Sequence, residues 1–156
     1  MYAWGDNQFG QLGNTAANAT PVNSLIPVKI GTSTNWANVV CGAFHCLAAN
    51  TSNQIYTWGL NDKGQIGNNA VTIVKAPFLV PTTGFPSGVT WGQQIACGFK
   101  HTAGINSAGS LYVWGSNENK QHGSNTADPV AQKVPLVVGS VVQNAFSNTV
   151  KQVRLC

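Results

Sequence analysis

Near its start the chain reads Tyr2-Ala3-Trp4-Gly5-Asp6-Asn7-Gln8-Phe9-Gly10-Gln11-Leu12-Gly13-Asn14, and the same pattern returns twice. The second copy occupies residues 56–68, and a third, more divergent copy occupies residues 112–124. The tryptophans of the three copies, Trp4, Trp58 and Trp114, are 54 and 56 residues apart. A fixed period of this size indicates a repeat architecture.

Short β-rich segments separated by turn residues fill each period. In one full period the predicted strands are 36–41, 44–49, 55–58 and 77–80, and in the next they are 91–97, 101–105, 111–114 and 135–138. The segment 111–114, Leu-Tyr-Val-Trp, is apolar on both faces, so it should be covered on both sides. Four short antiparallel strands buried front and back predict an all-β propeller of four-stranded blades. Trp58 and Trp114 are then expected to be buried between blades.

Composition narrows the class of protein. Charged residues make up 8% of the 156, whereas soluble domains typically have about 25%. The net charge of +4 is spread along the chain without a basic run, which argues against nucleic acid as the partner class. No apolar stretch is long enough for membrane insertion. Low charge and a surface rich in Asn, Thr and Ser favour an extracellular, cell-surface or virion location.

Three motifs together carry a family resemblance. They are Trp-Gly-x-Asn with Gly-Gln-Leu-Gly-Asn, then Pro-x-x-Val, then Cys-Gly-x-x-His; the second set occupies 58–68, 77–80 and 97–102. In this combination the chain resembles the regulator of chromosome condensation repeat, in about three copies. The third copy departs from the pattern, since Lys120 replaces a glycine and His122 an aliphatic residue. These changes predict a looser turn or a recruited surface there.

The resemblance implies a seven-bladed β-propeller, of which this chain covers two full blades plus parts of two others. Residues 31–85 and 86–140 are the expected full blades. Residues 2–30 supply the outer strands of a preceding blade, and 141–156 the first strand of a following one. Open blade faces predict that the remaining blades come from a longer chain or from other copies.

Cysteine and histidine recur at matching positions. Cys41, His45 and Cys46 lie within six residues, and Cys97 with His101 repeats part of the pattern. Zinc is one interpretation. However, Cys41 and Cys97 occupy equivalent positions in successive blades, too far apart for one metal or one disulfide. We therefore favour small buried cysteines, histidines that tie two strands of one blade, and no metal or cofactor.

Acidic residues give no strong catalytic signal. Asp62 and Glu118 occupy matching turn positions in adjacent blades, where an acid–base or calcium pair is one interpretation. The other interpretation, which we favour, is a solvent-exposed turn that accepts an acid. We predict no enzyme activity.

Strand order places two sets of turns on one face of the propeller. Turns 42–44 and 98–100 should lie beside the loops that follow each Trp-Gly. Phe44 and Phe99 are expected to anchor a partner there, or else to turn inward under the blade. The candidate partner-binding residues are Phe44, Leu60, Asp62, Lys63, Phe99, Lys100, Glu118, Asn119 and Lys120.

Two functions follow from these observations. The first is a non-catalytic scaffold that presents its loops to a protein partner. The alternative, which the resemblance implies, is guanine nucleotide exchange on a Ran-like GTPase with chromatin association.

Overall fold

The computed structural model describes residues 1–15, 19–83, 87–123 and 132–138, and the regular structure in these residues is β-sheet. No helix in these ranges is long and apolar enough to cross a membrane. The strands are β1 (Tyr2–Gly5), β2 (Ser24–Lys29), β3 (Trp36–Cys41), β4 (His45–Asn50), β5 (Ile55–Gly59), β6 (Val74–Leu79), β7 (Trp91–Cys97), β8 (His101–Asn106), β9 (Leu111–Gly115) and β10 (Gln132–Val137).

These strands form three antiparallel sheets. The second blade has the order β3-β4-β5-β6, the third blade has the order β7-β8-β9-β10, and β1 pairs with β2 in a half-blade. The prediction of four-stranded antiparallel blades is therefore confirmed. The strand expected within 141–156 lies outside the described residues.

The outer strands begin earlier than the sequence predicted. β6 starts at Val74 rather than Pro77, because a bulge between Thr57 and Gly59 lets Gly59 pair with Val74. Likewise, β10 starts at Gln132, which pairs with Gly115. Proline is tolerated within these strands because, in the described part of the chain, each pairs on one side only.

Apolar side chains fill the space between the second and third blades. Every residue of β4 and of β8 is buried. Leu47, Ile55, Val80, Trp91 and Trp114 belong to one cluster of buried side chains that links the two sheets. Small residues on β4 and β8 let the sheets approach closely; a side chain at Gly104 on β8 would meet Ile55 of the second blade at 3.2 Å.

The repeated tryptophans have two different environments. Trp58 and Trp114 are 1% and 0% exposed, which confirms their predicted burial between blades. Trp4 occupies the same position in the half-blade but is 62% exposed. The exposure differs because Trp58 and Trp114 each pack against the preceding repeat, whereas Trp4 lies on an open groove.

Candidate functional site

Each joint between sheets is built around a tryptophan and the turn of the preceding repeat. The indole Nε1 of Trp58 donates a hydrogen bond of 2.8 Å to the carbonyl of Gln11, and Trp114 donates one of 2.9 Å to Gln65. Gly13 lies against the Trp58 ring, where a Cβ would come within 2.7 Å of Nε1. The repeat therefore requires glycine at this position because the next indole occupies the space of a side chain.

Side chains of the same turn hold its shape. Asn61 Oδ1 accepts a hydrogen bond from the Ile66 amide at 3.0 Å, and its amide group donates to the Ala70 carbonyl at 3.1 Å. The Gln65 side chain accepts from the Lys63 amide at 2.8 Å. These bonds leave the Gln65 carbonyl free to face the third blade.

The third copy of the turn keeps this geometry despite its substitutions, so the looser turn expected from the sequence is wrong. Lys120 has φ of 61°, in the left-handed region that Gly10 and Gly64 occupy in the other copies. The Lys120 amide still donates to Asn117, and the His122 amide to the Asn117 side chain, both at 3.0 Å. A lysine in the left-handed region is strained, so this conformation of Lys120 lowers the stability of the folded protein.

Replacing Lys120 with glycine should therefore raise the free energy of unfolding by about 0.5–1 kcal/mol, as lost strain outweighs glycine's greater unfolded-state entropy. Urea denaturation of Lys120→Gly and native proteins measures this difference. Asn119→Gly is the matched control, because Asn119 is exposed in the same loop without a positive φ. A loss of stability in Lys120→Gly as large as in the control would contradict the assignment.

His45 links the second and third blades. Its Nε2 lies 3.0 Å from Thr102 Oγ1, and that hydroxyl donates to the Gln65 carbonyl at 2.9 Å. Because the only hydroxyl proton is used for Gln65, the His45 ring must carry its own proton on Nε2. Burial, with a smaller contribution from His101, lowers the pKa of His45 to about 4. The expectation that His45 ties two strands of one blade is therefore wrong, since its hydrogen bond crosses between blades.

The Gly-x-x-His spacing has a steric cause. A Cβ at Gly98 would lie 2.1 Å from Cε1 of His101, and one at Gly42 would lie 2.5 Å from the same atom of His45. Each histidine also closes the tight turn, since its carbonyl accepts from the glycine amide at 2.8–2.9 Å. His101 is buried, and burial lowers its pKa.

The turns after β3 and β7 lie beside the loops after β5 and β9, as expected from strand order. The Leu60 amide donates to the Phe44 carbonyl and the Ser116 amide to the Lys100 carbonyl, both at 2.8 Å. We call this surface the loop face. Its members are the candidate residues Phe44, Leu60, Asp62, Lys63, Phe99, Lys100, Glu118, Asn119 and Lys120, together with Phe9.

Two ion pairs cross the joint between the second and third blades on the loop face. Lys100 Nζ lies 2.5 Å from Asp62 Oδ2, and Lys63 Nζ lies 2.5 Å from Glu118 Oε1. Partial burial raises the pKa of Asp62, but hydrogen bonds from Lys100 and Gln65 outweigh it and leave a net lowering. The hydrogen bond to Glu118 raises the pKa of Lys63. Asp62 and Glu118 thus each pair with a lysine, an arrangement that does not suit proton donation by Asp62 at neutral pH.

Three phenylalanines run in a row across the loop face. The rings of Phe9 and Phe44 meet edge to face with centroids 5.2 Å apart, and those of Phe44 and Phe99 with centroids 6.2 Å apart. Phe44 is half-buried, whereas Phe99 is 66% exposed. Phe9 is not among the residues predicted from the sequence, although it occupies the same position of its repeat as the predicted residues Lys63 and Asn119.

Two cysteines form a disulfide that the sequence did not predict. Cys41 and Cys46 are directly opposite each other on β3 and β4, with Cα atoms 4.1 Å apart. Cys41 is exposed, so its expected role as a small buried residue is wrong. Cys97 is a free thiol whose sulfur contacts the Val40 carbonyl at 3.9 Å, and burial raises its pKa to about 12. The described ranges contain no cluster of three or more His, Cys, Asp or Glu side chains suited to a metal.

Alkylation of the folded protein without reductant should leave both Cys41 and Cys46 unmodified because their sulfurs are bonded. Cys97 should react slowly because its high pKa leaves little thiolate. Trypsin places Cys41 and Cys46 in one peptide, residues 30–63, and Cys97 in another, residues 76–100. Mass spectrometry before and after reduction measures the labelling. Equal labelling of Cys41, Cys46 and Cys97 in the unreduced folded protein would contradict both assignments.

Comparisons with known proteins agree with this architecture. A model of the regulator of chromosome condensation (RCC1) repeat matches residues 1–49 and 52–105, and a second model of this repeat matches 36–65 and 93–121. The ultraviolet-B receptor UVR8 of Arabidopsis thaliana is 30% identical over 115 residues, which cover 74% of this chain and 25% of the receptor. The human E3 ubiquitin-protein ligase HERC2 is 29% identical over 139 residues, which cover 89% of this chain and 3% of the ligase. This chain therefore spans a quarter or less of either relative.

Solved structures show the same fold. Human WBSCR16 superposes with a TM-score of 0.70 at 25% identity, over 87% of this chain and 34% of that one. Prp20p from Saccharomyces cerevisiae, whose binding to Gsp1p and histones has been described, superposes with a TM-score of 0.70 at 21% identity, over 88% and 33%. With family models matched along most of its length, the chain belongs to the regulator of chromosome condensation (RCC1) repeat family of β-propellers.

Proposed function

We propose that the chain is a non-catalytic protein-interaction module and that its loop face binds a protein partner. The observation that carries this proposal is the row Phe9, Phe44 and Phe99, which ends in a largely exposed ring. An exposed aromatic side chain supported by a second ring is the type of anchor that dominates protein interfaces. The polar loops around the row supply hydrogen-bonding groups of the kind found at an interface rim.

Charge on the loop face supports a protein partner over nucleic acid. Lys63 and Lys100 are each held by a carboxylate of the neighbouring blade, so a phosphate backbone would have to compete with Glu118 and Asp62 for them. The loop face presents both positive and negative side chains in one patch. A protein partner with complementary charges would be oriented by them on this face.

The test is affinity capture with the native protein and with Phe99→Ala as bait. If Phe99 is an anchor, its loss should weaken binding of the captured partner by about 30-fold, equivalent to about 2 kcal/mol. Leu25→Ala is the matched control, because Leu25 is a 98% exposed apolar residue on the outer strand β2 and is not a member of the loop face. Binding that depends on Leu25 and not on Phe99 would overturn the assignment of the loop face.

A second candidate is guanine nucleotide exchange on a Ran-like GTPase with chromatin association. It is supported by the likeness to Prp20p, a protein described with binding properties to Gsp1p and histones, but at 21% identity that likeness extends to the fold alone. Release of a fluorescent GDP analogue from Ran, with and without this chain, separates the two functions. Under the interaction proposal the release rate does not change, and accelerated release would favour exchange.

We also propose an extracellular, cell-surface or virion location. The Cys41–Cys46 disulfide supports it, because disulfides persist in oxidising environments and are rare in the cytosol. Isolation of the protein from its native source with thiols blocked at lysis tests this proposal. Finding these two cysteines reduced would contradict it.

A further inference from the structure

A cleft opens between the second and third blades at the end of the strands opposite the loop face. The turn between β4 and β5 forms one wall, and the segment that leads from β6 to β7 forms the other. Leu79 pairs with Tyr56 near the start of β5, which places the end of β6 beside that turn. The cleft has a volume of about 580 Å³, within the roughly 300–1,000 Å³ of small-molecule sites.

The base of the cleft is apolar and fixed in position. Val80 and Trp91 line the cleft and are both fully buried, so they form its base. The indole Nε1 of Trp91 donates a hydrogen bond of 3.3 Å to the Val80 carbonyl, and the ring packs against Trp114 with centroids 5.7 Å apart. Leu79 adds an exposed apolar side chain. A ligand in the cleft therefore meets a rigid surface that favours contact with C–H groups.

Polar side chains without charge form the walls. They are Ser52, Asn53, Gln54, Thr82, Thr83 and Thr90, and among the described residues no Asp, Glu, Lys, Arg or His lines the cleft. Ionised ligands form their strongest hydrogen bonds with charged side chains. The lining therefore suits an uncharged ligand.

Gln54 presents its amide donors in a fixed orientation. Its Oε1 accepts hydrogen bonds from Asn50 Nδ2 at 2.9 Å and from the Tyr56 hydroxyl at 3.3 Å. Asn50 is itself fixed, because its Oδ1 accepts from the Ser52 and Gln54 amides. The Nε2 of Gln54 donates to no other described residue. A side chain held in this way loses little conformational entropy when it binds a ligand.

Four further polar groups of the cleft are available to a ligand. The hydroxyls of Thr82, Thr83 and Thr90 and the side-chain amide of Asn53 are exposed and bond to no other described residue. Each hydroxyl can donate one hydrogen bond and accept two, and the amide can both donate and accept. The cleft thus combines donors and acceptors above an apolar base.

We propose that this cleft binds an uncharged carbohydrate, with one pyranose ring seated between the β4–β5 turn and the segment after β6. A pyranose carries hydroxyl groups around its rim, which match the donors and acceptors of the walls. It also has a face of C–H groups, which matches the apolar base. Gln54 Nε2 donates to a sugar oxygen from one wall, and the hydroxyls of Thr82 and Thr90 bond from the other. The site is separate from the loop face, because the two lie at opposite ends of the strands.

Titration of the full chain with methyl glycosides tests the proposal. The panel holds glucose, galactose, mannose, xylose, fucose, N-acetylglucosamine and N-acetylgalactosamine, with glucuronic and sialic acids as charged comparisons. NMR follows the side-chain amide of Gln54 and the indole Nε1–H of Trp91. At least one uncharged glycoside should shift both signals saturably, with a dissociation constant below about 10 mM and lower than that of either acid.

The variants Thr82→Val and Thr90→Val each remove one hydroxyl and keep the shape of the side chain. Each should weaken binding of that glycoside roughly fivefold, the effect of losing one neutral hydrogen bond. Thr32→Val is the matched control, because Thr32 is an exposed threonine at the position of Thr82 in the preceding repeat and does not line the cleft. It should leave the affinity unchanged.

Several results would overturn the proposal. They are the absence of any uncharged glycoside that binds within this limit, tighter binding of an acid, and shifts confined to the loop face. Equal losses of affinity in Thr32→Val and Thr82→Val would also overturn it, because the hydroxyls of the cleft would then not be the ones that hold the sugar. The signals of Gln54 and Trp91 are read in the native chain, so the titration decides the proposal even if a valine variant does not fold.

Discussion

Replacing Trp114 with alanine should lower the free energy of unfolding by about 3–5 kcal/mol, as large core truncations do. The side chain is fully buried between two complete blades, and its indole donates to the Gln65 carbonyl. The variant loses the packing of the ring and leaves that carbonyl with one donor fewer. Equilibrium denaturation of the variant and the native protein, followed by circular dichroism, gives the difference.

Trp4→Ala is the matched control for this prediction. It removes the same side chain from the same position of the repeat, but Trp4 is 62% exposed. The change in free energy of unfolding should stay within about 0.5 kcal/mol, as for most exposed positions. Equal losses in the two variants would mean that burial between blades is not what stabilises Trp114.

Acidification should destabilise the protein through His45. Its pKa is about 4 in the folded protein and 6.5 when unfolded, so above pH 6.5 the ring is neutral in both states. As the pH falls below 6.5 the unfolded chain takes up a proton that the folded protein does not, and the loss of stability is complete below about pH 4. Because a tenfold difference in proton affinity corresponds to about 1.4 kcal/mol, the total loss is about 3 kcal/mol.

Denaturation at a series of pH values across this window measures the slope. His45→Gln is the control, because a glutamine amide can still donate to Thr102 but does not titrate. The variant should lose most of the slope, and burial of His101 and His122 accounts for the remainder in the same direction. An unchanged slope in His45→Gln would show that other groups carry the pH dependence.

The fold followed from the sequence because the repeat encodes it locally. Strand pairing within a blade joins neighbouring segments, so turn residues and the apolar runs around Trp58 and Trp114 were sufficient to predict two full blades. The burial of these indoles followed from the same pattern, because a strand apolar on both faces must be covered on both sides.

The contacts that the sequence did not reveal are mostly those between blades. The spacing around His45 indicates only contacts within its own blade, because its partner Thr102 is 57 residues away along the chain. Phe9 follows from the repeat alignment, since its equivalents, Lys63 and Asn119, are among the predicted partner-binding residues. The Cys41–Cys46 disulfide could have been found, since two residues five apart around a tight turn lie opposite each other in a hairpin.

The acceptor that receives each buried indole is a backbone carbonyl, at Gln11 in one joint and Gln65 in the next. A carbonyl is present whatever the side chain, so substitution of either glutamine leaves the acceptor itself in place. The glycine two residues later has no such freedom, because the indole fills the space of any Cβ at Gly13. The indole itself therefore sets no requirement on the side chain of the residue that accepts its hydrogen bond, but it requires glycine two residues later. A repeat moved into another propeller would then need a neighbour whose turn presents a backbone carbonyl and, two residues later, a glycine to the incoming indole.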